Sequence, residues 1–240
     1  MIRVIIDAAV RQNFELSLGL AELRGVLQRE ENALDTEVAA VEAELRRVYS
    51  LAAVKDIGIL RRQRDFFWQL GVDPTKVRPA SEALLRRIVQ GKGLPRILPI
   101  VDAYNLASVK TLLTFSAFDA AKIEPPLCVR FAQPDEEVLL IGLRMKRLSG
   151  RELVLTDALR ILCVYVHGDA DATKVTDATR DILLVAYGIP VVSDTELEEG
   201  LSVAVRYILG LRVASFSEKR YTGNVLYDGS VRGNEMESRM

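Results

Sequence analysis

The chain has 240 residues, of which 49% are hydrophobic and 27% are charged, and its formal net charge is −1. This composition is typical of a globular protein with a sizeable core, and it excludes a bulk electrostatic attraction to nucleic acid or to an anionic membrane. A local basic patch remains open. The chain has no apolar run of about 18 residues and no signal-like N-terminus, so we expect a cytoplasmic protein without a transmembrane helix.

Hydrophobic periodicity predicts helices in the first part of the chain. Residues 2–6 form a short β-branched run that predicts a strand, while residues 31–50 and 55–70 carry apolar residues at spacings of three and four. Gly71 is expected to end the second of these helices, and Ser81 to cap the next one. The N-terminal region is therefore expected to be helical.

From about residue 97 the pattern changes to short apolar runs separated by polar turns, which predicts a mainly antiparallel sheet. Residues 195–210 return to helical spacing. The order of helices, strands and a last helix predicts an α+β fold. We expect one domain over residues 1–214, followed by a polar C-terminal tail over 215–240.

Cysteine and histidine usage limits the chemistry that this chain can perform. Cys128 and Cys163 lie in apolar runs without metal-ligand spacing, so we expect buried free thiols in a reducing compartment. His167 is the only histidine, which excludes a multi-histidine metal site. We expect neither a metal nor a cofactor.

Several polar side chains interrupt the apolar segment 94–119, among them Asp102, Asn105 and Asp119. Burying such groups costs free energy unless they form hydrogen bonds. They either cap and turn the backbone or line a site, and the sequence leaves both alternatives open.

A second polar cluster follows His167 and includes Asp169, Asp171 and Thr176. Carboxylates placed near a histidine can perform acid–base chemistry, but Asp and Thr are also common in turns because they hydrogen-bond their own backbone. The spacing does not match a calcium-binding loop, which needs a glycine at its sixth position and a glutamate at its twelfth. A ligand-lining loop and a plain turn remain equal alternatives.

Arginines cluster on two predicted helices, at 61, 62 and 64 and at 86 and 87. They are either phosphate contacts or solvated helix faces. The sequence contains no GxxxxGK[ST] or GxGxxG phosphate-binding motif and no GxSxG nucleophile motif. Common nucleotide-binding and serine-hydrolase sites therefore have no support.

Several ordered motifs resemble the B3/B4 domain family. The chain reads GVDPTKVRPASEALLRR at 71–87 and GKGLPRILPIVDAYNLAS at 91–108, both similar to segments of free-standing members of that family. FSAFDAAKI at 115–123 and TKVTDATRDILLVAYG at 173–188 resemble two further family segments. The resemblance covers more than half of the chain.

The B3/B4 domain is the editing module of the β subunit of bacterial phenylalanyl-tRNA synthetase. The resemblance implies an antiparallel sheet flanked by helices. It also implies hydrolysis in trans of the ester that joins a wrong amino acid to tRNA, with tRNA or aminoacyl-tRNA as the partner. Two alternatives remain: a non-catalytic module that binds RNA or an amino-acid-like ligand, and hydrolysis of another small ester or amide.

One departure from the editing module concerns the site itself. Ser116 stands where the synthetase domain has a histidine, and Asp169 or Asp171 stands where it has a loop glutamate. By this resemblance we expect Ser116 and Asp171 to be catalytic. The residues expected to bind substrate are Asp102, Asn105, Asp119, Arg130, His167 and Thr176. Asp102 is expected to pair with backbone amides or with a cation such as Arg130 or Lys174.

Overall fold

The structure of the protein is a computed structural model that describes residues 2–26, 34–190 and 192–211, together with the backbone of 219–222. The described helices are α1 (Ala8–Asn13), α2 (Asp35–Val48), α3 (Gly58–Gln69), α4 (Ala80–Val89), α5 (Pro99–Thr111) and α6 (Asp194–Leu209). The fold is a mixed α+β arrangement with mainly antiparallel sheets, as the sequence predicts.

One sheet has five strands in the order β1-β4-β7-β8-β9. Its first pair is parallel and the others are antiparallel. The strands are β1 (Val4–Ile6), β4 (Leu127–Phe131), β7 (Leu153–Thr156), β8 (Ile161–Val164) and β9 (Gly168–Asp169). The inner strands β7 and β8 are buried along their whole length, which explains why they read as continuous apolar runs.

A second, antiparallel sheet has four strands in the order β11-β2-β10-β3. These strands are β2 (Ser17–Leu23), β3 (Thr114–Asp119), β10 (Ile182–Gly188) and β11 (Lys219–Thr222). A separate hairpin pairs β5 (Pro134–Leu140) with β6 (Arg144–Ser149). The predicted polar tail contributes β11 to the second sheet, and the rest of the tail lies outside the described residues.

Helices α2, α3 and α6 fall where the spacing of apolar residues predicts them, and Gly71 follows α3 with a φ of +72°. The helix over Pro99–Thr111 was not predicted, because its apolar residues surround it almost completely and leave no alternating face. Strand β2 was also missed, so the N-terminal region is not purely helical. The Ser81 cap was wrong: α4 begins after Pro79, and the Ser81 hydroxyl donates instead to Oε1 of Gln63 at 2.8 Å.

A fully buried carboxylate fixes the start of α4 against α3. Glu82 has no solvent exposure, and its two oxygens each accept a hydrogen bond from the Arg64 guanidinium at 3.1 Å. The Nε of Arg86 donates to the same carboxylate at 2.7 Å. Two of the clustered arginines, Arg64 and Arg86, are therefore structural ion-pair partners. For these two, neither of the interpretations drawn from the sequence, phosphate contact or a solvated helix face, is correct.

No helix in the described ranges is long and apolar enough to cross a membrane.

Candidate functional site

A cavity of about 400 Å³ opens where the two sheets meet helix α3. Its walls come from α3, the segment 77–80, the first half of β3, the β8–β9 turn and the end of β10. The volume lies in the range of small-molecule binding sites. Phe66, Phe67 and Phe115 make part of the lining apolar, and a small set of polar groups lies among them.

A hydrogen bond between Ser116 and Asp169 marks the polar part of the cavity. Ser116 lies on β3, and its Oγ donates to Oδ1 of Asp169 on β9 at 2.7 Å. The two residues come from different sheets, so this bond links the sheets. Both line the cavity, although the serine is only 4% exposed.

Asp169 lies in surroundings that disfavour its charge. Burial raises the pKa of the Asp169 carboxyl to about 6, while hydrogen bonds from Ser116 and Cys163 act in the opposite direction. Cys163 is the direct cross-strand partner of Asp169, and burial raises the pKa of its thiol. At neutral pH the carboxylate is therefore ionised but poorly solvated, which suits a group that accepts a proton or holds a cation.

Two tyrosines on the lining of this cavity have buried hydroxyl groups that are free to form hydrogen bonds. Tyr165 and Tyr187 line the cavity with their rings edge to face, 5.0 Å apart. Their buried hydroxyls have no hydrogen-bond partner among the described residues. Burial raises the pKa of Tyr187, Cys163 and the charge of Asp169 raise it further, and its hydroxyl does not reach hydrogen-bond geometry with the neighbouring Ser116 or Cys163. Buried polar atoms without partners are rare and are most simply satisfied by water or a ligand.

The turn before Asp169 depends on one glycine. Gly168 has a φ of +112°, a conformation that side-chain-bearing residues rarely adopt. It allows the chain to reverse between His167 and Asp169, so that both residues line the cavity. Burial lowers the pKa of His167, the nearby charges of Lys146 and Arg144 lower it further, and Glu152 acts in the opposite direction. The imidazole is therefore neutral at physiological pH.

Of the eight site residues predicted from the sequence, Ser116 and His167 line the cavity. The carboxylate in the cavity is Asp169, whereas Asp171, which we expected to be catalytic, pairs with Lys174 at 2.6 Å outside the lining. Thr176 also lies outside it, where its backbone N–H donates to Oγ1 of Thr179 at 2.9 Å.

Asp119 and Arg130 take part in local contacts away from the cavity. Asp119 ends β3, accepts a hydrogen bond from Thr179 at 3.1 Å and pairs with Lys122 at 3.3 Å. Arg130 forms a two-bond ion pair with Glu136, at 2.6 and 2.9 Å, which lowers the pKa of that glutamate. Both arrangements stabilise strand ends.

Asp102 and Asn105 lie on α5 and do not line the cavity. Asp102 is in the first turn, where it accepts a hydrogen bond from the Ile97 amide at 2.9 Å and lies 3.4 Å from the guanidinium of Arg96. The expected backbone amide is present, but the cation is Arg96 and neither Arg130 nor Lys174. Burial raises the pKa of the Asp102 carboxyl. Asn105 is half-buried one turn later.

The VDAYN segment approaches the site through a residue that the sequence did not single out. Burial raises the pKa of Tyr104, and the negative charges of Asp169 and Asp102 raise it further, so this tyrosine is within electrostatic range of the cavity carboxylate. Tyr165 and Tyr187 were also missed, because isolated tyrosines in buried strands read as core residues. The signal that could have identified Tyr187 is its phenolic hydroxyl, a polar group within a strand that is otherwise apolar and buried.

Comparison with known proteins identifies the fold family. The model of the B3/4 domain matches residues 62–207, which is more than half of the chain. The chain belongs to the B3/4 domain family. The cavity lies within this domain, since its lining residues fall between 63 and 189.

The domain is similar to part of a much longer protein. It is 32% identical over 110 residues to the phenylalanine–tRNA ligase β subunit of Haemophilus ducreyi, covering 46% of this chain and 14% of that one. The corresponding subunit of Shewanella oneidensis is 24% identical over 206 residues, covering 74% of this chain and 25% of that one. The chain thus spans a quarter or less of these two curated relatives.

One solved structure is partly similar to this chain. The N-terminal fragment of the phenylalanyl-tRNA synthetase β subunit from Pyrococcus horikoshii is 13% identical and superposes with a TM-score of 0.46. The superposition covers 87% of this chain and 48% of the fragment.

Proposed function

We propose that this protein hydrolyses the ester bond of misacylated tRNA, acting in trans in the cytoplasm. The observation that carries the proposal is the ionised but poorly solvated Asp169 carboxylate, hydrogen-bonded by Ser116 in a cavity lined by two unpartnered tyrosine hydroxyls. Membership of the B3/4 family and similarity to phenylalanine–tRNA ligase β subunits support the choice of an aminoacyl ester as the substrate.

In the proposed reaction Asp169 is the general base. It takes a proton from a water molecule whose oxygen attacks the ester carbonyl carbon, and Ser116 holds the carboxylate in position. The phenols of Tyr165 and Tyr187 donate hydrogen bonds to the oxyanion of the tetrahedral intermediate. When the carbon–oxygen bond to the ribose breaks, the proton returns from Asp169 to the ribose oxygen. The products are a free amino acid and uncharged tRNA.

The direct test is incubation of the protein, in excess, with a panel of tRNAs charged with radiolabelled wrong amino acids. Release of label above the rate of spontaneous hydrolysis in buffer for at least one pair is expected. If no pair in the panel is deacylated above buffer, the proposal is overturned.

A second prediction concerns Ser116→Ala. The hydrogen bond from Ser116 lowers the pKa of Asp169, so its removal is expected to raise that pKa and to shift the pH–rate midpoint upward. At pH 7 we expect deacylation to slow by about tenfold, the value of one lost hydrogen bond to a charged group. Ser202→Ala on an exposed position of α6 is the control and leaves the rate unchanged. A loss beyond about a thousandfold in the variant, together with an acyl group trapped on Ser116 of the wild-type protein, would make Ser116 the nucleophile instead.

Binding without turnover is the second candidate function. It is favoured by the same carboxylate, because a buried negative charge with a neighbouring apolar lining fits the α-ammonium group and side chain of an amino acid. Equilibrium binding of a non-hydrolysable aminoacyl-adenosine analogue, together with no release of label in the deacylation assay, is the result that would select this function.

A further inference from the structure

The β5–β6 hairpin presents large apolar side chains to solvent beside the cavity. Leu139, Ile141, Leu143 and Met145 are all exposed, and Leu143 at the turn is the most exposed of them at 75%. Apolar side chains grouped on one short element are unusual for a surface and mark a place where something binds.

The hairpin is attached to the backbone of the cavity carboxylate. The amide of Ile141 donates to the carbonyl oxygen of Asp169 at 2.9 Å, and Leu140 forms an isolated bridge with Ala170. Its buried residues Val138 and Leu140 belong to a small hydrophobic cluster that includes Ala170. The turn is therefore held at a fixed place next to the reacting groups.

The two faces of the hairpin differ in charge. Arg144 and Lys146 are the cross-strand partners of buried Leu140 and Val138, so they lie on the face that meets the domain. Arg144 lines the cavity, and the charges of both residues act on His167, another lining residue. Arg147 points to the other face, where it pairs with Asp135 at 2.9 Å.

The cavity has a second cation on its lining. Arg78 comes from the segment before α4 and is exposed. In the ranges that the structure describes, no carboxylate forms an ion pair with Arg78, Arg144 or Lys146. Two cations on the lining of the cavity, Arg78 and Arg144, and a third on the same face of the hairpin, Lys146, make this opening attractive to a chain of anionic groups.

Leu143 combines exposure with an unfavourable backbone. Its φ is +58°, in the left-handed region that non-glycine residues adopt at a cost. Glycine or asparagine would suit this turn position better, and a polar side chain would suit its exposure better. A leucine at a position that is unfavourable on both counts points to a contact outside the chain.

We propose that the hairpin is a docking element for the single-stranded 3′ segment of an RNA. Arg144, Lys146 and Arg78 contact its phosphates, and Leu143 packs against a base next to the terminal nucleotide, whose 3′ end enters the cavity. This inference rests on the proposed function and adds the surface by which the partner is held. A lipid bilayer fits less well, because Leu139 and Met145 lie on the face opposite to Arg144 and Lys146.

The first test compares two charge-matched variants on the same hairpin, Arg144→Gln and Arg147→Gln. Their affinities for uncharged tRNA and for a short single-stranded RNA ending in adenosine are measured by fluorescence anisotropy over a range of salt concentrations. Arg144→Gln is expected to weaken binding about fivefold to tenfold and to reduce the salt slope by about 0.7, the value for one phosphate contact. Arg147→Gln is expected to change the affinity less than twofold. Equal effects of the two variants would overturn the proposal.

The second test is Leu143→Asn. Asparagine accepts the left-handed conformation more readily than leucine, so the thermal unfolding midpoint is expected to stay the same or rise. RNA affinity is nevertheless expected to fall about fivefold, because the apolar contact with a base is lost. Unchanged affinity would show that Leu143 makes no such contact.

The RNA in both tests carries no amino acid, so binding is read independently of hydrolysis. If the wild type deacylates no tRNA but Arg144→Gln lowers the RNA affinity, the proposed function is overturned and the docking element is supported. If the wild type deacylates tRNA but neither Arg144→Gln nor Leu143→Asn changes the RNA affinity, the docking element is overturned and the proposed function is supported. Binding of the wild type to phosphatidylserine vesicles, with no affinity for either RNA, would also overturn the docking proposal.

Discussion

Asp169→Asn is expected to make the folded protein more stable at neutral pH while removing most of the proposed hydrolytic activity. The pKa of Asp169 is raised from 3.8 to about 6 in the folded state, mainly by burial. The folded protein therefore holds this proton longer than the unfolded chain does. Stability is highest when the carboxyl is protonated and falls as the pH rises from about 4 to about 6.

The size of the gain follows from this shift. The full difference between the two pKa values corresponds to about 3 kcal/mol above pH 7. Because Asp169 is partly accessible through the open cavity, we expect somewhat less, about 2 kcal/mol. Asparagine carries no charge and keeps an oxygen that can accept the Ser116 hydrogen bond. Urea unfolding of both proteins at pH 4 and at pH 7.5 measures the gain, which is absent at the lower pH.

The activity of the same variant is expected to fall by about a hundredfold or more, because asparagine cannot accept the proton of the attacking water. In the wild type the deacylation rate is expected to rise with pH, with a midpoint near 6, as the carboxyl loses its proton. In Asp169→Asn the rate is expected to show no such rise with pH. Asp171→Asn, in an ion pair outside the cavity, is the matched control and keeps the wild-type profile. A wild-type rate in Asp169→Asn would remove Asp169 from the mechanism.

Glu82→Ala is expected to lower the free energy of unfolding by about 3 kcal/mol. The carboxylate is fully buried and holds the guanidinium groups of Arg64 and Arg86, which are themselves mostly covered. Removing one partner of a buried ionic cluster leaves the other charges uncompensated, and this typically costs about 3–5 kcal/mol. We take the lower value because both arginines retain some contact with solvent.

Chemical denaturation measures this loss, and Arg147→Gln provides the comparison. That variant breaks an ion pair in which both side chains are well exposed, so its cost is expected to be below about 1 kcal/mol. Glu82 also lies in the first turn of α4, two residues after the cavity residue Ala80. Weaker ligand binding is therefore expected to accompany the loss of stability. Similar costs for the two variants would contradict the structural role of Glu82.

The sequence predicts the parts of this fold that have one apolar face. Helices α2, α3 and α6 place polar residues towards solvent, and their periodicity is therefore visible. Helix α5 is buried on most sides, including Asp102 and Ser108, so its pattern resembles that of a buried strand. Its polar residues are satisfied by local backbone groups, as the Ile97 amide satisfies Asp102.

The site was predictable only in part. Ser116 was singled out because it takes the place of the family's histidine, and His167 because it is the only histidine and is followed by a cluster of Asp and Thr residues. The choice between Asp169 and Asp171 depends on the turn at Gly168, and that turn depends on a backbone conformation that no residue pattern reports. The pairing of Ser116 with Asp169 depends on how two sheets dock, because 53 positions separate the residues.

The bond between Ser116 and Asp169 makes the candidate site depend on the docking of the two sheets. Each sheet supplies one half of the pair, so neither half has its partner until both sheets have closed upon each other. A chain in which the two sheets have come apart lacks this pair altogether. The proposed hydrolysis would therefore arise only together with the completed tertiary structure.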